Sequence, residues 1–170
     1  MKGTRILIID DEEEVLEQLG YAMTQAGYQV DLARDGDVGW EHFQQKLHPV
    51  VITDLRMPQS RDGLEVLEEI KRLWPATHVI VLTGHGGKAD AIQSLRLQAF
   101  DYIEKGSSQT LPVLKEAVAR ACEDAGLSAE LPGMPNELAL SVSPEELQTL
   151  IAELPFSISD EINKLRKVEA

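Results

Sequence analysis

The chain has 170 residues, of which 16 are Lys or Arg and 29 are Asp or Glu, so its formal net charge at pH 7 is −13. This charge argues against direct binding to nucleic acid or to an anionic membrane surface, because both depend on basic side chains that displace counterions. The single Cys122 excludes an internal disulfide, and the absence of a signal-peptide pattern and of a membrane-spanning apolar run leads us to expect a cytoplasmic protein.

Short apolar runs and helix-like segments alternate along the first half of the chain, which is typical of strand–helix units in a parallel sheet. The run Arg5–Ile9 contains only Ile and Leu after its first residue, as expected for a strand buried on both faces. A helix follows, because apolar residues recur at helical spacing over Val15–Ala26. The second strand is predicted over Gln29–Ala33 and a short helix over Asp37–Gln45.

The same alternation continues to about residue 122. The remaining strands are predicted at Val50–Asp54, His78–Leu82 and Asp101–Ile103. The helices that follow them are predicted to end before Trp74-Pro75, to span Ala89–Leu97 and to span Thr110–Cys122. Residues 1–122 are therefore predicted to form one α/β domain.

The composition changes after that domain. Gly126–Pro135 contains two Gly and two Pro, so residues 123–142 are predicted to form a linker. Residues 143–170 include Ser143-Pro144-Glu145-Glu146, a capping box with Pro at the first helical position, followed by an apolar stripe at helical spacing. We expect this amphipathic helical extension to serve dimerisation or docking, or to begin an output domain, because its apolar face has to be covered.

Polar side chains follow the predicted strands at their carboxyl ends. Asp10 and Asp11 follow the first strand, Asp54 ends the third, and Thr83 and Lys105 follow the fourth and fifth. Ligands of open parallel sheets bind beyond these ends, so we expect the side chains to converge. Clustered carboxylates repel one another unless a cation is present, and Mg²⁺ characteristically binds carboxylates together with water and phosphate oxygens. Asp54 is the candidate nucleophile toward phosphorus.

The sequence motifs around these positions resemble those of the response-regulator receiver domain of two-component signalling. The motifs are Asp10-Asp11, Asp54-Leu55-Arg56-Met57-Pro58, Thr83-Gly84-His85-Gly86 and Phe100-Asp101-Tyr102-Ile103-Glu104-Lys105. The resemblance covers about residues 3–122. It implies a flavodoxin-like, doubly wound sheet of five parallel strands in the order 2-1-3-4-5.

The resemblance also implies a phosphoacceptor and a metal site. Asp54 would accept a phosphoryl group from a histidine kinase or a phosphotransfer protein. Asp11, Asp54 and the backbone carbonyl of Arg56 would bind Mg²⁺ directly, and Asp10 would act mainly through water. Such a protein assists its own phosphotransfer and dephosphorylation, but it is not a conventional enzyme.

Three further roles follow from the same resemblance. Thr83 and Lys105 would hold the phosphoryl oxygens. Tyr102 would be an aromatic switch residue that turns inward as Thr83 moves. The face formed by helix 4, strand 5 and helix 5 would then change its packing and signal to a partner, to an output domain or to a second copy of the chain.

The chain departs from the usual family pattern at three places. Gly106 follows Lys105 where the family usually has a proline with a preceding cis bond, and we expect a trans bond because cis before a non-proline costs ~2.5–4 kcal/mol. Gln98 stands where Gly is frequent, which is expected to alter the end of helix 4. The loop Pro58–Gly63 is one residue longer than usual, so its shape is expected to differ.

Two other functions remain open. A Mg²⁺-dependent phosphohydrolase with an aspartyl-phosphate intermediate uses a similar set of Asp, Thr and Lys residues. That class places its nucleophile in a DxD motif after the first strand, where this chain has Asp10-Asp11-Glu12. A pure interaction module that is never phosphorylated is the second alternative, and the Lys105-Gly106 step leaves it open.

Overall fold

The computed structural model describes residues 3–57, 60–84 and 87–127 of the chain. In this part of the chain one sheet contains the strands β1 (Arg5–Ile9), β2 (Gln29–Ala33), β3 (Val50–Thr53), β4 (His78–Thr83) and β5 (Asp101–Glu104). Their order is β2-β1-β3-β4-β5, and every neighbouring pair is parallel. The predicted doubly wound, flavodoxin-like fold is therefore confirmed.

Helices cover both faces of this sheet. They are α1 (Glu13–Gln25), α2 (Gly36–Lys46), α3 (Gly63–Leu73), α4 (Lys88–Arg96) and α5 (Thr110–Leu127). Among the described residues, no helix combines the length and the apolar character needed to cross a membrane.

Two apolar cores result from the alternation of side chains along the strands. In β1, Ile6 and Ile8 pack with residues of α1 and α5, whereas Leu7 and Ile9 pack with residues of α2 and α3. All four of these side chains are fully or almost fully buried. The sheet is thus held between two helical layers, and its carboxyl-terminal edge stays fixed relative to both.

The helix α5 is longer than the sequence pattern indicates. It continues to Leu127 instead of ending at Cys122, so the first residues of the predicted linker are helical. Ala121 and Cys122 are buried in the α1–α5 core, and the Asp124 carboxylate lies 3.1 Å from the imidazole of His78 at the start of β4. These contacts favour continued helix. The rest of the predicted linker and the helical extension at 143–170 lie outside the described residues.

The backbone adapts to two of the unusual residues. The described residues contain no cis peptide bond, so the bond before Gly106 is trans as expected, and Gly106 has a φ of +96°, a conformation that favours glycine. Gln98, two residues beyond the end of α4, has a φ of 61°. It therefore adopts the left-handed conformation that usually selects Gly after a helix. Of the longer loop, Pro58 and Gln59 lie outside the described residues.

Candidate functional site

The carboxyl ends of β1, β3 and β5 bring three of the predicted site residues together. The Lys105 Nζ atom lies 2.7 Å from Oδ2 of Asp10 and 2.9 Å from Oδ2 of Asp54. The two aspartates are only 1% and 6% exposed. One ammonium group therefore joins two buried carboxylates that come from different strands.

The backbone fixes the Asp54 carboxylate in one orientation. Its Oδ1 atom accepts hydrogen bonds from the amides of Leu55, at 2.6 Å, and Arg56, at 3.4 Å. The Asp54 amide itself donates to the Ile9 carbonyl of β1 at 2.9 Å. Backbone amides thus hold one carboxylate oxygen while Lys105 holds the other, so the carboxylate is held in one orientation.

Gly63, the first residue of α3, approaches the backbone of Asp54 very closely. A Cβ atom at position 63 would lie 1.9 Å from the carbonyl oxygen of Asp54. The Gly63 amide donates to the Leu55 carbonyl at 3.0 Å. Only glycine fits here, and its contact fixes the chain directly behind the candidate phosphoacceptor.

Burial and charge act together on the titratable groups of the site. Burial raises the pKa of Asp10, and its hydrogen bond to Lys105 offsets only part of this effect. Burial by itself disfavours the Lys105 ammonium, but hydrogen bonds to Asp10 and Asp54 outweigh it and leave the pKa of Lys105 raised. Lys105 therefore stays protonated, and its single positive charge is shared among the neighbouring carboxylates.

A third carboxylate completes a possible cation site. Oxygen atoms of Asp10, Glu12 and Asp54 lie within 4.8 Å of one another, and Oε1 of Glu12 is 3.2 Å from Nζ of Lys105. Asp11, which the resemblance assigns to Mg²⁺, is exposed and lies outside this group. Three carboxylate oxygens at this separation fit a hard divalent cation such as Mg²⁺.

Glu12 is a candidate that the sequence argument missed. In the sequence, Glu12 belongs to an acidic run at the start of a predicted helix, where acids are favourable without any ligand. The structure places Glu12 just before α1, where its amide donates to Oδ1 of Asp10 at 3.0 Å. Its position directly after the Asp10-Asp11 pair is the sequence signal that could have placed it near Asp54 and Lys105.

The two predicted switch residues lie beside this group. Thr83 is buried at the end of β4, and its carbonyl accepts a hydrogen bond from the Lys105 amide at 2.9 Å. The Tyr102 hydroxyl is buried and has no hydrogen-bond partner among the described residues. Burial, followed by the charge of Asp90, raises the pKa of Tyr102. The Tyr102 hydroxyl thus already points into the protein.

Comparison with known proteins gives a consistent result. The profile of the family described as the response regulator receiver domain matches residues 6–119. A receiver domain protein from Clostridium thermocellum is 34% identical in sequence and superposes with a TM-score of 0.68, over 74% of this chain and 98% of that one.

Curated relatives are longer than this chain. The transcriptional regulatory protein GlrR of Escherichia coli is 34% identical over 124 residues, which are 73% of this chain and 26% of that protein. The transcriptional regulatory protein DltR of Streptococcus agalactiae is 37% identical over 101 residues, or 59% of this chain and 45% of that protein. The chain thus spans less than half of either relative.

Proposed function

Because the chain belongs to the response regulator receiver family, we propose that Asp54 accepts a phosphoryl group from a histidine kinase or a phosphotransfer protein. An oxygen of the Asp54 carboxylate attacks phosphorus, the bond between phosphorus and the donor nitrogen breaks, and the nitrogen keeps the electron pair. The observation that carries this proposal is the ammonium of Lys105, which bridges buried Asp10 and Asp54 at 2.7 and 2.9 Å. That arrangement offers both a fixed nucleophile and a cation for the added charge.

The acidic group around Asp54 is suited to Mg²⁺. We propose that Asp10, Asp11, Asp54 and the Arg56 carbonyl hold the ion, either directly or through water, and Glu12 lies close enough to join them. When bound, the ion neutralises charge that builds up between the carboxylates and the incoming phosphoryl group. Lys105 contributes a second positive charge, and its Nζ atom contacts the carboxylates of Asp10, Glu12 and Asp54.

Thr83 and Lys105 are the proposed contacts of the phosphoryl oxygens. Both are anchored by the same backbone hydrogen bond between neighbouring strands, so movement of one displaces the other. We propose that this movement, together with Tyr102, changes the packing of the face formed by α4, β5 and α5. The change is then transmitted to a partner, a second copy or an output domain.

The location and the output of the protein are parts of the same proposal. Cys122 is a free, buried thiol, which is compatible with the reducing cytoplasm. We propose that the phosphoryl transfer takes place in that compartment. GlrR and DltR are transcriptional regulatory proteins by name, and we propose a regulatory output here also. The acidic charge of −13 favours a protein partner over direct contact of this chain with nucleic acid.

Intact mass measurement tests the acceptor. Incubation with acetyl phosphate and Mg²⁺ is expected to add one phosphoryl group to the wild-type protein and none to Asp54→Ala. Asp101→Asn, which removes a carboxylate of β5 outside the site, is the matched control and is expected to be labelled normally. An adduct that persists in Asp54→Ala would contradict the proposal, and repeated release of phosphate from ordinary phosphomonoesters would favour a phosphohydrolase.

Thermal unfolding tests the metal site. Mg²⁺ that binds only the folded protein is expected to stabilise it by about 2.7 kcal/mol at one hundred times its dissociation constant. The stabilisation is expected to shrink strongly in Asp54→Asn and to persist in Asp101→Asn. An equal shift in Asp54→Asn and in the wild type would place the bound ion elsewhere.

A further inference from the structure

One ion pair connects the candidate phosphoacceptor to α4. The Nη2 atom of Arg56 lies 3.2 Å from Oδ1 and 3.1 Å from Oδ2 of Asp90, which is in the first turn of α4. Arg56 is only two residues beyond Asp54 in the chain. Its side chain therefore bridges the loop after β3 and a helix of the proposed signalling face.

The backbone of the same residue contacts the Asp54 carboxylate. The Arg56 amide donates to Oδ1 of Asp54 at 3.4 Å, and the neighbouring Leu55 amide donates to the same oxygen at 2.6 Å. A phosphoryl group on Asp54 removes negative charge from the carboxylate oxygens and weakens such charge-assisted hydrogen bonds. Arg56 therefore contacts the Asp54 carboxylate through its backbone and α4 through its side chain.

The helix α4 buries little of its own surface. Its single buried residue is Ser94, whose hydroxyl bonds within the helix to the Asp90 carbonyl at 2.8 Å. Leu95 is 63% exposed and Ile92 is 43% exposed. Because so little apolar surface of α4 is buried, loss of one ion pair is expected to change the mobility of this helix measurably.

We propose that the Arg56–Asp90 ion pair restrains α4 and that phosphorylation of Asp54 releases it. The restraint favours the packing seen in the structure, and its loss shifts the population toward other positions of α4. This inference rests on the proposed function for its trigger, whereas the restraint itself is a property of the protein before any phosphotransfer.

Hydrogen exchange of the α4 amides tests the restraint. Asp90→Asn is expected to speed the exchange of these amides about two- to five-fold, the range that rupture of an exposed ion pair supports. Arg56→Gln removes the other partner and is expected to have the same effect. Arg120→Gln breaks the comparably exposed pair between α5 and Asp101 and is expected to leave α4 unchanged.

Phosphorylation of the same variants tests the release. In the wild-type protein, labelling with acetyl phosphate is expected to speed α4 exchange about as much as Asp90→Asn does. In labelled Asp90→Asn the further increase is expected to be small, because the ion pair is already absent and coupled changes do not add.

The possible failures are distinguishable. If the wild-type protein is labelled and Asp90→Asn exchanges like wild type, the restraint is refuted while the proposed function stands. Asp90 also accepts a hydrogen bond from the Gly87 amide at the start of α4. Faster exchange in Asp90→Asn but not in Arg56→Gln would assign the effect to that hydrogen bond and refute the ion pair. If labelling and Asp90→Asn increase the exchange rate additively, the release of the ion pair by phosphorylation is refuted. If the wild-type protein takes no label, the proposed function fails and the release falls with it.

Discussion

Two clusters of charged side chains differ in their ratio of basic to acidic groups. In the middle of β2, a single carboxylate, that of Asp31, contacts Arg5 at 3.1 Å, Lys46 at 2.6 Å and His48 at 2.8 Å. At the carboxyl-terminal edge of the sheet, Asp10, Glu12 and Asp54 share the ammonium of Lys105. The first cluster has more donors than its carboxylate requires, and the second has too few.

The pKa values follow this difference. Burial alone opposes ionisation of Asp31, but hydrogen bonds from Lys46, His48 and Arg5 outweigh it, so the pKa of Asp31 is strongly lowered. The pKa of Asp10 is instead raised by burial despite its contact with Lys105. A carboxylate that is saturated by basic groups serves stability, whereas carboxylates that outnumber their basic partners suit a cationic ligand. Four substitutions or titrations test this distinction.

The largest effect is expected for Lys105→Met. Loss of a buried charge that stabilises the reacting group typically costs about 100-fold or more in rate. We therefore expect labelling by acetyl phosphate to slow by at least about that factor in an intact mass time course. Lys46→Met, which removes a lysine from the Asp31 cluster, is the matched control and is expected to be labelled at the wild-type rate. Labelling of Lys105→Met within about three-fold of wild type would remove Lys105 from the mechanism.

A smaller loss is expected for Asp31→Asn, and it concerns stability. The substitution leaves three basic groups without their common acceptor, including the imidazole of buried His48. Hydrogen bonds to charged groups contribute about 1.5–3 kcal/mol each, so we expect the free energy of unfolding to fall by about 2 kcal/mol. Urea denaturation provides the measurement, and a loss below about 0.5 kcal/mol would show that the cluster is not structural.

Asp10→Asn is expected to have the opposite sign. It removes a buried negative charge that its surroundings disfavour, so the free energy of unfolding at neutral pH is expected to rise by about 1 kcal/mol. Labelling of Asp54 is expected to slow at the same time. The same urea experiment serves, and a loss of stability in this variant would mean that Lys105 fully compensates the carboxylate.

The smallest effect is the difference in pH dependence between these variants. The cost of ionised Asp10 is present above its raised folded pKa and vanishes as the pH falls toward the ordinary value of 3.8. The gain from Asp31 is fully present above 3.8 and is lost as the pH falls through its lowered folded pKa. The stability difference between Asp10→Asn and wild type should therefore shrink on acidification before that of Asp31→Asn does. Urea denaturation of each variant over a range of pH provides the measurement. Stability differences that shrink in the reverse order would contradict both assignments.

Much of the fold follows from local sequence. The ranges predicted for the first two strands coincide with β1 and β2. In β1 a run of Ile and Leu specifies a buried strand, whereas β2 alternates polar and apolar residues and is only partly buried. The convergence of Asp10, Asp54 and Lys105 was predictable too, since each follows a strand of one parallel sheet. The sequence pattern gives the strands, and the parallel arrangement places their carboxyl ends at one edge of the sheet.

Other features depend on tertiary contacts that no local pattern reveals. The pairing of Arg56 with Asp90 requires the loop after β3 and the start of α4 to lie side by side. The direction of the Glu12 side chain depends on Lys105, which follows the last strand. The sequence pattern places these residues on their elements, but only the assembled sheet shows which side chains face one another.

The length of α5 matters for anyone who fuses this domain to a different effector. The family profile stops at residue 119, whereas the helix runs to Leu127 and buries Ala121 and Cys122. A hybrid joined at the profile boundary would sever the helix upstream of these two side chains and of the Asp124 carboxylate near His78. A junction placed after Leu127 keeps the described part of the helix together with these contacts.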